Sequence, residues 1–312
     1  MIVAHTIQDA CPPAEGASVA LGLFDGLHLG HEAVIRKAVE SAKSANLAPA
    51  VFTFTLGEVS PTAKQGATAL LSTAMSDRIL REWGVQHVLR PAFDSFRNFA
   101  PEEFVQQILH SAMNARQIVC GADFAFGKGA AAHADGLRLL AEPLGIGLDV
   151  VPILLEDGEP ISSTRIRALV AAGDMPAANR LLGRCFAIDF KVIHGNKLGR
   201  TLDYPTINQP FPAGFTVPRH GVYASVVFAG GRWQEAVSNV GIKPTVGSDR
   251  VLAETYIHGF EGNLYEQPVE VRFLQFIRPE RKFACTEELR AAIRADAEAA
   301  SAITRGYIKT IR

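Results

Sequence analysis

The feature that most constrains this chain is a change of texture near Gly183. Before it, short β-branched runs alternate with longer segments of 3.6-residue apolar period. After it, strand-like runs follow one another with little but turns between them. Alternation of the first kind reads as a parallel sheet with crossover helices, and the second pattern as a β-barrel or sandwich. A chain of 312 residues also exceeds one ordinary core of roughly 100–200 residues. Two domains are expected, 1–182 and 183–312.

In the first part, Ser18 to Leu23 predicts a strand and Glu32 to Ala45 a helix, with Val34, Ile35, Ala38, Val39 and Ala42 on one face. Pro49 to Phe54 predicts a strand, and Ser72 to Trp83 a helix with Gly84 just past its end. His87 to Phe93, Pro101 to Ala112, Gln117 to Gly121 and Gly147 to Ile153 continue the alternation. In the second part the strand-like runs are Phe186 to Ile193, Gly221 to Phe228, Glu235 to Val240, Leu252 to His258 and Val269 to Phe276. One helix closes the chain, Thr286 to Ala300, with Glu287 and Glu288 in its first turn where the helix dipole favours acids.

The formal net charge of −1 removes the global basic field that non-specific nucleic-acid or anionic-membrane binding needs. That total hides an asymmetry: residues 1–182 hold 14 basic and 19 acidic side chains (−5), and residues 183–312 hold 17 and 13 (+4). Cys11, Cys120, Cys185 and Cys285 are far apart, so free thiols in a reducing compartment are expected. No uncharged apolar run approaches the roughly 18 residues of a spanning helix, and a cytoplasmic protein is expected.

Gly22-Leu23-Phe24-Asp25-Gly26-Leu27-His28-Leu29-Gly30-His31 sits where the first strand hands over to the first helix. Backbone N–H groups converge at such a turn and the helix N-terminus adds partial positive charge, which suits a phosphate. Gly22, Gly26 and Gly30 let the backbone approach an anion, and two histidines three apart can donate to a phosphoryl group as charge develops on it. A His-x-x-His pair also occurs in zinc sites, but no Cys, His or carboxylate partner lies nearby at ligand spacing.

The pattern Gly-x-Phe-Asp-Gly-x-His-x-Gly-His resembles the nucleotidyltransferase superfamily signature in the form carried by prokaryotic bifunctional riboflavin kinase/FAD synthetases. Two further stretches agree in order and distance, Gly121-Ala122-Asp123-Phe124-Ala125-Phe126-Gly127 and Ile161-Ser162-Ser163-Thr164-Arg165-Ile166-Arg167. The resemblance implies a Rossmann-like parallel sheet that binds ATP through Gly22, Phe24, Asp25, Gly26, Gly30, Asp123, Ser162, Ser163, Thr164 and Arg165, with His28 and His31 catalytic. Ser162, Ser163 and Thr164 also read by themselves as an N-cap offering hydroxyls and N–H groups to triphosphate oxygens. The sequence departs from the family where an acidic-Pro-His-Pro segment is usual, with Thr55-Leu56-Gly57-Glu58 in its place, and Ala130 to Ala132 stand near where an arginine is common.

In the second part, His194-Gly195-Asn196-Lys197-Leu198-Gly199-Arg200 is a glycine-containing turn with two cations, and Pro205-Thr206-Ile207-Asn208 follows. This resembles riboflavin kinases, whose Gly-rich basic turn precedes Pro-Thr-Ala-Asn; here Ile207 replaces the alanine and Asp203 a usual glycine. The resemblance implies an all-β riboflavin-kinase-like barrel with a C-terminal helix. ATP phosphates would meet Gly195, Lys197, Gly199, Arg200 and Pro205, and Mg2+ would be held by Thr206 and Asn208, whose hard neutral oxygens suit it. Glu254, in Glu254-Thr255-Tyr256-Ile257, matches the catalytic glutamate, and Arg278 and Phe283 fall in the flavin-side region. Asn239-Val240-Gly241-Ile242-Lys243-Pro244-Thr245-Val246-Gly247 also looks like the family.

The expectation is an enzyme that makes FMN from riboflavin and ATP and FAD from FMN and ATP, with small-molecule partners only and a monomeric or weakly self-associating state. Two rivals are a riboflavin kinase with a degenerate adenylyltransferase domain, prompted by Thr55 to Glu58, and a flavin-binding regulator without turnover.

Overall fold

The computed structural model describes residues 1–56, 67–195, 204–245 and 248–310, the side chains of 243–245 and 248–249 excepted. Contacts divide the chain into two compact units, Met1–Ala67 with Thr73–Ser162, and Thr68–Ser72 with Ser163–Arg312. The chain changes unit at Ser163, ahead of the change of texture at Gly183.

The first unit is a parallel sheet of six strands in the order β1-β4-β3-β2-β5-β8: β1 Ile2–Ala4, β4 His87–Leu89, β3 Ala48–Phe52, β2 Ala17–Leu21, β5 Ala115–Gly121 and β8 Gly147–Val151. β2 and β3, at its centre, are buried at every position, as expected of strands covered on both faces. The crossover helices are α1 Leu29–Ala45, α2 Thr73–Glu82 and α4 Ala134–Ala141, and the Pro101 segment forms α3 Pro101–Glu103 continuing as a π-helix, Phe104–Ala112. Two short ribbons, β6 Ala125–Phe126 with β7 Ala132–His133 and β9 Leu155–Glu156 with β10 Glu159–Pro160, lie outside the main sheet. Helix α1 buries Val34, Ile35, Ala38 and Ala42, four of the five positions expected from its periodicity. Below the sheet's carboxyl end, Phe52, Phe54, Phe93, Phe96 and Phe104 pack ring to ring with centroids 5.3–6.5 Å apart, a dense apolar floor for the turns above.

The second unit holds one six-stranded antiparallel sheet in the order β11-β16-β13-β14-β15-β12. Its strands are β11 Phe186–Ile188, β16 Val271–Arg278, β13 Gly221–Ala229, β14 Arg232–Thr245, β15 Ser248–Ile257 and β12 Thr206–Pro210. Helices α5 Ser163–Ala172 and α6 Met175–Leu182 precede it and α7 Thr286–Thr310 follows. Asn179 on α6 accepts from Phe186 N–H at 2.7 Å and donates to the Phe273 carbonyl at 2.9 Å, stitching that helix to β11 and β16.

The chain that follows β11 meets the β12 edge, so the sheet rolls toward a barrel. The Ile193 N–H donates to the Asn208 carbonyl at 2.8 Å, and the fully buried Gln209 Nε2 donates to the Phe190 and Val269 carbonyls at 2.6 and 2.8 Å. Closure removes the exposed edge that β12 would otherwise present. Inside, Ser225, Ser238 and Thr255 are fully buried and bonded in a row, at 2.8 and 2.7 Å. That mutual satisfaction is what makes three hydroxyls tolerable in the interior. Outside, α7 covers Val222, Ala224 and Val237 with Ala300.

From Thr206 onward the Pro205-Thr206-Ile207-Asn208 segment is strand β12, because pairing with β15 supplies backbone partners that local propensity does not predict. The C-terminal helix runs to Thr310, ten residues beyond the predicted Ala300.

Candidate functional site

In the first unit the glycine turn follows β2. Gly22 N–H donates to the Phe52 carbonyl at 3.2 Å, and a side chain there would press on the Phe24 ring, 2.8 Å from where a Cβ would lie. Phe24 is buried and its N–H donates to Thr53 Oγ1 at 3.3 Å. The chain then reverses through Gly26 at φ +79° and Leu27 at φ +43°. A non-glycine residue in the left-handed region is strained, and the full burial of Leu27 holds it there.

His28 is the N-cap of α1. Its Nδ1 accepts the His31 N–H at 3.3 Å, the His28 and His31 rings stack at 3.6 Å, and Phe24 meets the His31 ring edge-on at 5.3 Å. An Nδ1 that accepts a hydrogen bond carries no proton, which leaves Nε2 as the protonated nitrogen of a neutral ring. Gly30 leaves room for this: a Cβ there would stand 3.2 Å from two His28 ring atoms and 3.8 Å from the Ile161 carbonyl oxygen. Asp123 folds back onto Gly121, whose missing Cβ would be 2.9 Å from the carboxylate. Burial pushes the neighbouring Cys120 thiol up to about 11, with the Asp123 charge adding to it; this thiol is no nucleophile.

The structure therefore brings Gly22, Phe24, Asp25, Gly26, His28, Gly30 and His31 into one turn. Ser162 ends the first unit, while Ser163, Thr164 and Arg165 open α5 and are counted with the second. Thr53 is a supporting residue that no motif singles out; its signal is its place at the carboxyl end of β3, where open α/β sheets bind ligands.

In the second unit the candidates fall into a row. Asn208 on β12 pairs with Glu254 on β15, Glu254 pairs with Asn239 on β14, Asn239 with Val222 on β13, and Val222 with Arg278 on β16. Thr206 pairs with Tyr256 in the next same-face position. Side chains alternate along a strand, so Thr206, Asn208 and Glu254 share the outer face. Directly opposed Cβ atoms lie about 4.5–5.5 Å apart, so Glu254 is flanked across both neighbouring strands by an asparagine.

Gly195, thirteen residues before Asn208 in the chain, touches it in space. A Cβ on Gly195 would stand 2.6 Å from Asn208 Nδ2 and 3.0 Å from its Oδ1. Asn208 itself is 5% exposed. Pro205 and Thr206 line a cavity of about 100 Å³ together with Ile207, Ile257 and Tyr265. Lys197, Gly199 and Arg200 lie outside the described residues, as do Gly57 and Glu58. Arg278 is engaged by Asp296 of α7 through two hydrogen bonds of 2.8 and 2.7 Å and donates to the Pro279 carbonyl at 3.0 Å. Phe283 has its ring 5.8 Å from that guanidinium. Asn239, Glu280 and Asp296 have no role assigned by the sequence reading; register alone brings Asn239 to Glu254.

Among the described residues no cluster of three His, Cys, Asp or Glu side chains could cage a metal. What Thr206 and Asn208 offer is a pair of neutral oxygens on one face. That set fits magnesium, which keeps waters and binds through substrate phosphates more readily than through an all-protein cage.

A helix-opening glycine turn with paired histidines on one unit, and a base candidate beside neutral oxygen ligands on the other, together define a phosphate-transferring enzyme of two units. Comparison with known proteins narrows the class. Residues 11–165 match the family described as FAD synthetase and residues 182–304 the family described as riboflavin kinase. The chain belongs to the family of bifunctional riboflavin kinase/FMN adenylyltransferases. It is 34% identical to the one from Pseudomonas fluorescens over 97% of this chain and 98% of that protein, and 33% identical to the one from Escherichia coli K12 over 94% and 93%. A solved Streptococcus pneumoniae structure described as a macrolide-efflux protein superposes with a TM-score of 0.83 at 30% identity, covering 96% of this chain and 98% of that one. No helix among the described residues is long and apolar enough to cross a membrane.

Proposed function

We propose that this chain makes FMN and then FAD: the second unit transfers the γ-phosphoryl group of ATP to riboflavin, and the first transfers AMP from a second ATP to FMN. The observation that carries the reading is the cross-strand placement of Glu254 beside Asn208, because mere flavin binding needs no base next to phosphate ligands. In the kinase step Glu254 takes the proton of the ribityl hydroxyl as its oxygen bonds to the γ-phosphorus and the bond to the β-phosphate oxygen breaks, releasing ADP. Thr206 and Asn208 would hold a magnesium ion, which when bound neutralises phosphate charge. Gly195 leaves Asn208 its place, and Gly195, Lys197, Gly199, Arg200 and Pro205 receive the triphosphate.

In the adenylyl step a phosphate oxygen of FMN attacks the α-phosphorus of ATP and pyrophosphate leaves. No covalent enzyme intermediate is needed, so positioning and charge stabilisation do the catalysis. His28 donates from Nε2, and His31 is held against it by the ring stack. Gly22, Phe24, Asp25, Gly26, Gly30, Asp123, Ser162, Ser163, Thr164 and Arg165, all within residues 1–182, are assigned to ATP, and Arg278 with Phe283 to the flavin of the kinase. The functional division is placed at 182/183. The reading includes a cytoplasmic setting, which suits the four free cysteines, and no nucleic-acid or membrane partner. The match to FAD synthetase over residues 11–165 weighs against a degenerate first domain. Incubation with riboflavin, ATP and magnesium, followed by chromatography, tests the proposal: FMN and FAD both form, and formation of neither overturns it.

A further inference from the structure

Asn239 occupies a position the phosphoryl-transfer chemistry has not yet used. It stands on β14 directly opposite Glu254 and on the same outer face. Its Nδ2 donates to Glu280 Oε1 at 3.2 Å. Glu280 lies just past β16, two residues beyond Arg278, whose double bond to Asp296 fixes where that segment begins. Glu280 reaches Asn239 only because Gly241, two residues along β14, has no side chain: a Cβ there would collide with the Glu280 carboxylate. A bare Cα, a carboxylate laid across it and an amide bonded to that carboxylate form a built arrangement beside the proposed base.

A primary carboxamide has two N–H donors. One is engaged by Glu280, which fixes the rotation of the Asn239 amide and directs its nitrogen rather than its oxygen into the space between carboxylates. We propose that Asn239 is a positioning residue for phosphoryl transfer: its carboxamide, oriented by Glu280, holds the Glu254 carboxylate from one side while Asn208 flanks the other. The inference rests on Glu254 being the kinase base. It explains why the position opposite a base is a neutral amide. An aspartate there would set two like charges in a directly opposed pair and push the base out of position. The other charged or titratable side chains near this part of the sheet include Arg250 and Tyr256 of β15, His258 just past it with Glu235 of β14 and Arg305 of α7, Tyr204 before β12, Glu280 and Arg278, and Asp296 from α7.

The test uses the full-length enzyme and pH profiles of riboflavin phosphorylation for wild type, Asn239→Asp and Asn239→Ala. Melting temperature and FAD formation from supplied FMN serve as folding controls. Asn239→Asp, nearly isosteric, loses the N–H that would hold Glu254 and is expected to lower kcat at every pH by on the order of tenfold. Asn239→Ala is expected to lower kcat by on the order of ten- to a hundredfold, with the KM for riboflavin within about threefold of wild type. Profiles that superimpose on wild type overturn the proposal, and so do kcat and KM that worsen together with a lowered melting temperature, because that is packing loss alone. Glu254→Gln separates the two layers. If it phosphorylates riboflavin normally, the reading of Glu254 as base fails; if it is inactive while both Asn239 variants match wild type, only the positioning inference fails.

Discussion

The carboxamide of Asn208 rests on the bare Cα of Gly195, with the position of a missing Cβ only 2.6 Å from its nitrogen. This contact joins the glycine turn of the second unit to the strand that carries the proposed metal ligands. Gly195→Ala must push the Asn208 amide out of its place opposite Glu254. FMN formation is expected to fall at least about tenfold, while FAD formation from supplied FMN persists. A variant that phosphorylates riboflavin at the wild-type rate would show that the contact has no bearing on the kinase.

His28 does two things that substitution can separate. It caps α1 through Nδ1, and Nε2 is the nitrogen proposed to act in the adenylyl step. Asn is a good N-cap and Ala a poor one, the difference being about 1 kcal/mol. His28→Asn should therefore keep the melting temperature and lose FAD formation. His28→Ala should lose FAD formation and about 2–4 °C of melting temperature as well. Equal melting of the two variants would remove the cap from the account.

Gln209 closes the barrel with one buried amide nitrogen shared between two carbonyls. Gln209→Ala leaves both acceptors buried without that donor and opens a cavity, so chemical denaturation is expected to report a loss of about 2–4 kcal/mol in the second unit. A change under about 0.5 kcal/mol would mean that the edges are held by the backbone bond at Ile193 alone.

The ligand assignment predicts a dependence on added metal. Chelation should stop FMN formation and magnesium should restore it, and Thr206→Ala should raise the magnesium concentration needed for half-maximal rate. Rates through chelation as high as before would contradict a metal held at Thr206 and Asn208.

Much of this architecture is legible in the residues. Val34, Ile35, Ala38 and Ala42 announce α1 by spacing, and each lies buried. The turn from Gly22 to His31 reads as a candidate anion site because its glycines and histidines sit between an apolar strand and that helix. Strand β12 is hidden because Pro205, Asn208 and Pro210 carry turn chemistry, and only pairing with β15 overrides it. Strand β1 is hidden because three residues at a sheet edge leave no period to read. Asn239 and Glu280 are invisible for a deeper reason: their roles depend on register and on a chain reversal, neither of which follows from composition or spacing along one segment.

The central claim is that one chain performs two transfers in separate functional domains, 1–182 and 183–312, with Glu254 serving only the first reaction. The direct measurement is a chromatographic time course of wild type and Glu254→Gln, each given either riboflavin or FMN with ATP and magnesium. The account predicts that wild type turns riboflavin into FMN and then FAD, and that Glu254→Gln leaves riboflavin untouched yet still converts FMN to FAD. Wild-type rates of FMN formation by Glu254→Gln, or no flavin product from the wild-type enzyme, would contradict it.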